Sequence, residues 1–464
     1  MGRGHRTQMS GQTGLASAPM GLLGQTSRAL IVPLLGATLL LSACAQREEI
    51  LEGERLSLRD GFLGGEETPQ IENKSAPIKL AAQNANSTWS HRAGDSDHRI
   101  QHPALGAGTT PVWIAKIGQG NDRKHRITAD PVVDAGRIFT LDSRALVSAT
   151  ATASGAPIWQ ADLTPAGDRS DDASGGGLAT LGGTLYITTG FGELVALDAA
   201  SGAEQWRQRL EATATGAPTV SGDLVYVASK DNRAWAIEAK TGRIRWQFAG
   251  TPSPSSMVGG AGPALSKDLV VFPFTSGELV ATFRKGGVER WKSRVVGGRV
   301  GKAYTRVTDI TADPVIVGDT IYSGNQSGRL AAMSLGNGEV LWTAKEGAYS
   351  PLWIEGGSIF LISDAGELLR LNASDGSRIW GVQMPTFEND KPRRFKDVFA
   401  YYGPVLAGGK LWVATDEGLL RAFSPESGAE LAAVALPSGA ATNPVVADRT
   451  LFVVGQNGQL NAYK

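Results

Sequence analysis

A short segment recurs along this chain and constrains its fold more than any other feature. Most copies contain Gly-x-Leu, a small or apolar stretch, a turn that ends in glycine, and a tryptophan four residues after that glycine. The tryptophans are Trp159, Trp206, Trp246, Trp291, Trp342 and Trp380, and a seventh copy has Ala432 in this slot. The turn glycines are Gly155, Gly202, Gly242, Gly287, Gly338, Gly376 and Gly428. Their spacings run from 38 (Gly338 to Gly376) to 52 (Gly376 to Gly428), near the ~40–50 residues of one propeller blade. The repeat therefore predicts a β-propeller.

Further strand signals precede the copies and define the blade. They are runs of β-branched and aromatic residues separated by a turn with Gly or Asp, as in APTVSGDLVYVAS. With the two strands of the repeat they predict four antiparallel strands, A to D. Strand C occurs eight times, and its last copy, GQLNAYK, ends at Lys464 without a strand D. We therefore predict an all-β fold: an eight-bladed β-propeller of four-stranded antiparallel blades, closed because the N-terminal strand around Trp113 pairs into the C-terminal blade.

The N-terminal region predicts export and lipid attachment. Arg28 precedes an apolar run, 29–41, which suits a signal peptide and is too short to span a bilayer as a helix. It ends in Leu-Ser-Ala-Cys, which resembles the lipobox of bacterial lipoproteins, whose cysteine is acylated after cleavage. Cys44, the sole cysteine, is thus the predicted lipidation site; an ordinary cleavage site with an incidental thiol is the alternative. Alanine at position 45, directly after the cysteine, resembles the residue found there in lipoproteins that are forwarded to the outer membrane. Translation can start at either Met1 or Met20.

Three regions are expected along the chain. They are a lipoprotein signal peptide over 1–43, the acylated cysteine and a flexible tether over 44–100, and the propeller over 101–464. The tether prediction rests on a polar, irregularly charged stretch with little apolar periodicity. Charge is balanced, with 45 Lys and Arg against 45 Asp and Glu, which argues against a nucleic-acid binder driven by bulk basic charge.

Two family resemblances follow from these motifs. The repeat, as in GELVALDAASGAEQW, resembles the propeller repeat of pyrroloquinoline-quinone (PQQ) enzymes. Lipobox, tether and eight blades together, over about residues 28–464, are similar to the BamB family, propeller lipoproteins of the outer-membrane β-barrel assembly (Bam) machinery. This resemblance implies a non-enzymatic scaffold, anchored in the outer membrane and facing the periplasm, with no cofactor. It implies binding of the central barrel subunit BamA through its POTRA domains, and leaves direct contact with nascent outer-membrane proteins open.

The resemblance also points to partner-binding residues. The long connections of the repeat, 161–177, 291–313 and 383–402, are D-to-A loops, and in BamB proteins such loops of adjacent middle blades contact BamA. One family loop has the pattern Arg-x-x-Asp-x-Asp-x-x-Pro, where Arg306 and Asp309 match and Thr311 replaces the second acid. In the neighbouring loop Met257 and Val258 keep the apolar character, but the family's arginine is absent. We expect these five residues to bind the partner, with Asp309 as an exposed loop charge.

A PQQ-dependent dehydrogenase and a generic envelope propeller that binds peptide, sugar or lipid are the alternatives. Many PQQ dehydrogenases carry adjacent cysteines and a calcium ion, whereas no cysteine follows Cys44 and Asp95-Ser-Asp97 lacks the further oxygens and glycine of a calcium loop. Four of the five histidines cluster in sequence, and two have the i, i+4 spacing of a metal pair, but Pro103 follows directly. We therefore expect the histidines to make polar contacts rather than to bind a metal. We predict no catalytic, cofactor-binding or metal-binding residue in the chain. The four histidines are His91, His98, His102 and His125.

Overall fold

The described residues form an all-β ring of repeated sheets. The computed structural model describes residues 73–464, except 255–256, 258, 300–306 and 389–397. These residues form 32 strands in eight four-stranded sheets. The strands of the first half are β1 Pro111–Lys116, β2 Val132–Asp134, β3 Arg137–Leu141, β4 Leu146–Ala151, β5 Pro157–Asp162, β6 Gly176–Leu181, β7 Thr184–Thr189, β8 Glu193–Asp198, β9 Glu204–Arg209, β10 Thr219–Ser221, β11 Leu224–Ala228, β12 Arg233–Glu238, β13 Ile244–Ala249, β14 Ala264–Leu265, β15 Leu269–Pro273 and β16 Glu278–Phe283. Those of the second half are β17 Glu289–Arg294, β18 Val315–Val317, β19 Thr320–Asn325, β20 Arg329–Ser334, β21 Val340–Ala344, β22 Trp353–Glu355, β23 Ser358–Ile362, β24 Glu367–Asn372, β25 Arg378–Gln383, β26 Tyr401–Ala407, β27 Lys410–Thr415, β28 Leu419–Phe423, β29 Glu430–Ala435, β30 Val445–Ala447, β31 Thr450–Val454 and β32 Gln459–Tyr463.

Chain order gives the blades, and the eighth blade joins the two ends of the propeller sequence. Blades 1 to 7 take four consecutive strands each, from β2–β5 to β26–β29. Blade 8 contains β30, β31 and β32, and its strand D is β1, which pairs with β32 so that Trp113 lies opposite Ala462. The predicted closure is therefore confirmed, and it pairs the strand edges that would otherwise be open.

Burial differs between the inner and outer strands of a blade. Strands A to C consist mainly of buried residues, whereas strand D alternates between exposed and half-buried positions, as in β13 and β29. This is the pattern of an outermost strand that has one face on the neighbouring blade. Because the strands alternate in direction, the D-to-A and B-to-C connections emerge on one side, called the loop face, and the A-to-B and C-to-D turns on the other, called the turn face.

Seven tryptophans on strand D pack against the following blade. Each indole lies over the glycine of the neighbouring C–D turn, and its Nε1–H donates to a carbonyl there, as Trp206 does to Ala239 at 2.9 Å. The glycines have φ between +69° and +75°, and a β-carbon on any of them would stand 2.6–2.9 Å from the ring. The pairs are Trp113–Gly155, Trp159–Gly202, Trp206–Gly242, Trp246–Gly287, Trp291–Gly338, Trp342–Gly376 and Trp380–Gly428. Glycine is thus required both for backbone conformation and for close approach.

The seventh copy of the repeat lacks its tryptophan at the boundary with blade 8, the blade that combines strands from the two ends of the propeller sequence. Ala432 on β29 faces blade 8, which has no C–D turn because β32 and β1 are distant in sequence. At this boundary the Tyr463 hydroxyl donates to Ala435 O at 3.0 Å, and Trp412 packs against Gly108. A tryptophan at position 432 would have no turn glycine to cover.

Residues 73–100, predicted as the end of the flexible tether, instead pack against the propeller. Asn73 and Lys74 bond to the outer edge of blade 6 at Gly381 and Ile379. The stretch 84–103, here called the hub segment, then crosses the turn-face end of the central channel. Its contacts reach the inner strand or the A–B turn of every blade: Val133, Thr180, Val220, Leu265, Ile316, Trp353, Gly408 and Asp448. The folded body therefore begins well before residue 101.

The hub segment was missed because its partners are scattered through the sequence. Trp89 is 1% exposed, yet it stacks on Trp353 of blade 6 and pairs through its backbone with Val133 of blade 1. A segment whose successive residues meet different strands has no apolar period to detect. The predicted signal peptide, Cys44 and the tether up to residue 72 lie outside the described residues. No helix in the described part of the chain has the length and apolar character that a membrane span requires.

Candidate partner-binding face and hub

The long connections gather on the loop face, as predicted. The D-to-A loops run from Ala249 to Ala264 between blades 3 and 4, from Arg294 to Val315 between blades 4 and 5, and from Gln383 to Tyr401 between blades 6 and 7. Among the described residues, the turn face carries short hairpins and the hub segment. Extra loop length on one face of a rigid scaffold is where such folds place their binding residues.

Asp309 joins two of these loops, and its environment corrects the sequence-based expectation. Its side chain is buried, with the residue 3% exposed, and one carboxylate oxygen accepts a hydrogen bond from the Met257 N–H. Burial raises the pKa of Asp309, and the Met257 N–H and the charge of Lys230 act against this rise. The expected exposed docking charge is therefore wrong. The carboxylate links the loop that carries Asp309 to Met257 in the neighbouring loop.

Thr311 also lies inside the structure rather than on its surface. It is 4% exposed, and its hydroxyl donates to Ala348 O in the loop between blades 5 and 6. Met257 is half-buried on the loop face. Val258 and Arg306 lie outside the described residues. The structure thus brings Met257 and Asp309 into contact and gives Thr311 an inter-blade role that the sequence pattern did not indicate.

Lys230 is a further charged group at this junction. It lies in the B–C connection of blade 3, and burial lowers its pKa, although the nearby carboxylate of Asp309 opposes that shift. Both charges are therefore partly withdrawn from water at the base of the two loops.

At the centre of the ring, Arg92 of the hub segment holds two carboxylates. Its Nε lies 3.1 Å from Asp130 and 3.2 Å from Asp313, and its Nη1–H donates to Gly260 O at 2.7 Å. Each acid is followed by a proline that leads directly into strand A, of blade 1 and of blade 5. Asp130 also accepts from the backbone and side chain of Asn443 on blade 8. Burial of three charges is tolerable because each is paired and hydrogen-bonded.

The ion cluster forms part of the floor of a cavity that opens on the loop face. The cavity has a volume of about 680 Å³ and is lined by Arg92, Asp130 and Asn443 together with residues at the loop-face end of blades 6 and 7, among them Tyr402 and Asp416. Sequence reasoning did not find Arg92, and it placed Tyr402 only at the end of the long connection 383–402. Asp-Pro at the start of two strands A was the one visible signal for the partners of Arg92.

The histidines make polar contacts, as expected. His91 Nε2 accepts from Val220 N–H at 3.1 Å, and His98 Nδ1 lies 2.9 Å from Pro314 O. His102 bridges Ala81 O and Gly409 N–H, while His125 contacts Asp122 and Asp171 O. Within the described residues, no three His, Cys, Asp or Glu side chains form a group that could hold a metal ion.

Comparisons with known proteins agree with this architecture. The Moraxella catarrhalis BamB crystal structure superposes with a TM-score of 0.64 and 20% identity, covering 77% of this chain and 99% of that one. A quinohemoprotein alcohol dehydrogenase from Comamonas testosteroni superposes with a TM-score of 0.63 and 16% identity, over 82% of this chain and 81% of its own. At such identities these likenesses show the fold alone.

Sequence comparison distinguishes between the two groups. The outer membrane protein assembly factor BamB of Shewanella oneidensis is 26% identical over 360 residues, 75% of this chain and 87% of that protein. BamB of Escherichia coli is 24% identical over 357 residues, 75% and 87% of the two chains. A family model described as outer membrane protein assembly factor BamB matches residues 143–382 and 394–464, more than half of the chain. The chain therefore belongs to the BamB family of outer membrane protein assembly factors.

Proposed function

We propose that this chain is a non-enzymatic scaffold lipoprotein of the Bam complex. It binds the central barrel subunit BamA, through the POTRA domains, and aids the folding and insertion of outer-membrane proteins. The observation that carries the proposal is the contact between Asp309 and the Met257 backbone, because it holds the loops of two adjacent blades together on the loop face. A preformed surface of this kind binds with little loss of conformational entropy.

The roles of the five predicted residues differ in this proposal. Contact with the partner is assigned to Met257, Val258 and Arg306, because they belong to the D-to-A connections of two adjacent blades. Asp309 and Thr311 position those loops, because both are buried and hydrogen-bonded to backbone groups of neighbouring loops.

A dehydrogenase function finds less support in this chain. Many PQQ dehydrogenases carry adjacent cysteines, and the sole cysteine here is Cys44. The hub carboxylates Asp130 and Asp313 are engaged by Arg92, Asn443 and Gly262 N–H. The residues present therefore do not fit the cofactor, and we assign no redox step.

Lipid attachment at Cys44 and a periplasm-facing position on the outer membrane complete the proposal. Replacing Cys44 with serine removes the acylated thiol, so we expect the protein to move from the membrane fraction to the soluble periplasmic fraction and to lose incorporation of labelled palmitate. Retention of Cys44→Ser in the outer membrane with unchanged label would contradict lipid anchoring.

Partner binding is tested at Met257. Met257→Asp places a charge on the contact loop, and we expect at least a ~10-fold loss of co-purified BamA, because an unpaired charge in an interface costs more than about 1.4 kcal/mol. Val288→Asp is the matched control, since Val288 is 64% exposed in the C–D turn of blade 4 on the turn face. Equal recovery of BamA with Met257→Asp and wild type would overturn the assignment of this face.

Two substitutions of Asp309 separate the effect of its negative charge from the effect of its hydrogen bond to the neighbouring loop. Asp309→Asn keeps an oxygen that can accept from Met257 N–H, whereas Asp309→Arg places a cation in a buried site. If Asp309 only orders the loop, Asp309→Asn retains BamA and Asp309→Arg loses it. Loss with both variants would indicate that the negative charge itself contacts the partner.

A further inference from the structure

The hub cavity has features of a binding site, and the described partner-binding residues Met257, Asp309 and Thr311 are not part of its lining. It opens on the loop face, and its volume of about 680 Å³ falls within the ~300–1,000 Å³ of pockets that hold small ligands or peptide side chains. Blades 6 and 7 supply an aromatic group to its lining: Tyr349, Phe399, Tyr401 and Tyr402. Tyr349 and Phe399 come from the connections that enter those two blades, and Tyr401 and Tyr402 are the first two residues of β26.

Tyr402 presents a polar group to the cavity without an internal partner. Its hydroxyl makes no hydrogen bond to any described residue, whereas the hydroxyl of neighbouring Tyr401 donates to Pro385 O. Burial raises the pKa of Tyr402 to about 12, and the charges of Asp416 and Asp130 add to the rise. Tyr402 is half-buried and its hydroxyl is open to the cavity, so a ligand group can replace water as its hydrogen-bond partner.

Some carboxylates that line the cavity are paired with an arginine, and one is not. Asp130 is paired with Arg92, and Asp364 with Arg299. Asp416 accepts a hydrogen bond from Ala400 N–H at 2.8 Å but has no ion pair among the described residues. Glu388 and Glu417 add negative charge around it. Arg126 is a lining cation without an ion pair in the described chain, and it is exposed in the connection between blades 8 and 1.

From this juxtaposition of Tyr402, Asp416 and the aromatic lining, we propose that the hub cavity accepts an arginine side chain carried by an extended segment of a partner polypeptide. The guanidinium donates to the free oxygen of Asp416 and to the Tyr402 hydroxyl oxygen, and its plane stacks on the aromatic rings. Arginine suits the site better than lysine, because a planar group with several fixed donors can serve both oxygens and stack at the same time. Gly259 of the Met257 loop also lines the cavity, but Tyr402, Asp416 and the aromatic lining lie outside that loop, so the proposal does not rest on the identity of the partner there.

Binding of a defined peptide to the purified full-length protein tests the proposal. The probe is an acetylated and amidated Ala-Ala-Arg-Ala-Ala peptide, measured by isothermal titration, with a citrulline peptide as its uncharged isostere. We expect the arginine peptide to bind and the citrulline peptide to bind at least ~10-fold more weakly, because the charge-assisted hydrogen bond to Asp416 is lost. Equal affinity for the two peptides would overturn the proposal.

Two variants locate the site, and we expect each to keep the fold, because neither removes a hydrogen-bond acceptor that a described residue uses. Asp416→Asn keeps an oxygen for Ala400 N–H and removes the charge, so we expect about a tenfold loss of affinity. Tyr402→Phe removes only the hydroxyl, and we expect a loss of a fewfold. Asp168→Asn is the matched control: it makes the same charge change in an exposed residue of the loop between blades 1 and 2, and affinity should not change. Unchanged binding by both cavity variants would overturn the assignment.

A further ligand tests whether the guanidinium group must belong to a polypeptide or can belong to a small molecule. Acetyl-arginine amide carries the same group without flanking residues, and we expect it to bind much more weakly than the peptide, since the cavity is larger than one side chain. Equal affinity of the two would overturn the polypeptide assignment in favour of a small basic solute. Met257→Asp should bind the arginine peptide as wild type does, so failure here is distinguishable from failure of the proposed BamA contact.

Discussion

The indole ring of Trp246 on blade 3 lies against Gly287 in the C–D turn of blade 4, where a β-carbon would stand 2.6 Å from the ring. The same contact occurs at seven of the eight blade boundaries, and it explains why glycine and tryptophan recur four residues apart. Each pair links a turn to the strand D of the preceding blade, so the repeat encodes the interface between units as well as the unit.

Substitution of Gly287 tests this contact. Gly287→Ala should lower the free energy of unfolding by about 2–4 kcal/mol, from the positive φ and from overpacking against the indole. The matched control is Gly318→Ala, whose φ is +60° but whose β-carbon would meet nothing within 4 Å, so only the conformational cost of about 1–2 kcal/mol remains. Chemical denaturation followed by tryptophan fluorescence measures both. Equal losses would show that the ring contact contributes nothing.

Closure of the ring depends on Trp113 in β1. Its Nε1–H donates to Thr152 O at 3.1 Å, and its ring contacts Gly155 and Phe452. Trp113→Ala should destabilise the protein by about 3–5 kcal/mol. Val112→Ala in the same strand should cost about 0.5 kcal/mol or less, because Val112 is 44% exposed. Deletion of 109–118 should abolish cooperative unfolding. A truncated protein that melts like wild type would argue against closure by β1.

Arg92 is expected to be among the most sensitive residues of the hub segment. Arg92→Met leaves Asp130 and Asp313 buried without their shared cation, and breaking a buried pair in this way costs about 3–5 kcal/mol. Arg169→Met is the control, because Arg169 pairs with Asp171 on the surface with its side chain 78% exposed, and such pairs contribute at most about 1 kcal/mol. Similar melting temperatures for the two variants would contradict a structural role for the hub cluster.

His91 should make stability depend on pH. Burial lowers its pKa from 6.5 to about 3, with a further decrease from His98. A lowered histidine pKa means that the unfolded chain takes up the proton first, so this contribution is complete above pH 6.5 and is lost as the pH falls towards 3. Between pH 7 and pH 5 the loss is about 2 kcal/mol.

The contribution of His91 to the pH dependence of stability is measured as a difference between wild type and variants, because Asp95 changes stability with pH in the opposite direction. Burial and Asp97 raise the pKa of Asp95 to about 8, so its contribution falls as the pH rises. Thermal melts of wild type and His91→Gln at both pH values isolate the histidine, and wild type should lose more stability on acidification. His125→Gln is the contrast: the pKa of His125 is raised by Asp171 O and Asp122, so that variant should lose more than wild type. Parallel pH profiles for all three would rule out the assignment.

Some residues of the candidate site could be predicted from the sequence, and others could not. The D-to-A loops and Met257 followed from the repeat and the family pattern. The burial of Asp309 and Thr311 did not, because their partners, Met257 N–H and Ala348 O, lie 52 and 37 residues away. A matching motif identifies a residue type, but not whether its side chain points to solvent or to a neighbouring loop.

The sequence alone determined the blade, the number of blades and the closing strand. These features follow from local periodicity and from a contact that repeats at nearly constant spacing, so each copy supports the others. Only the tertiary structure decided the course of residues 73–103 and the hub cavity. Trp89, Arg92 and Tyr402 obtain their environments from blades far apart in the chain, and a non-repeating residue carries no local signal of which distant groups will surround it.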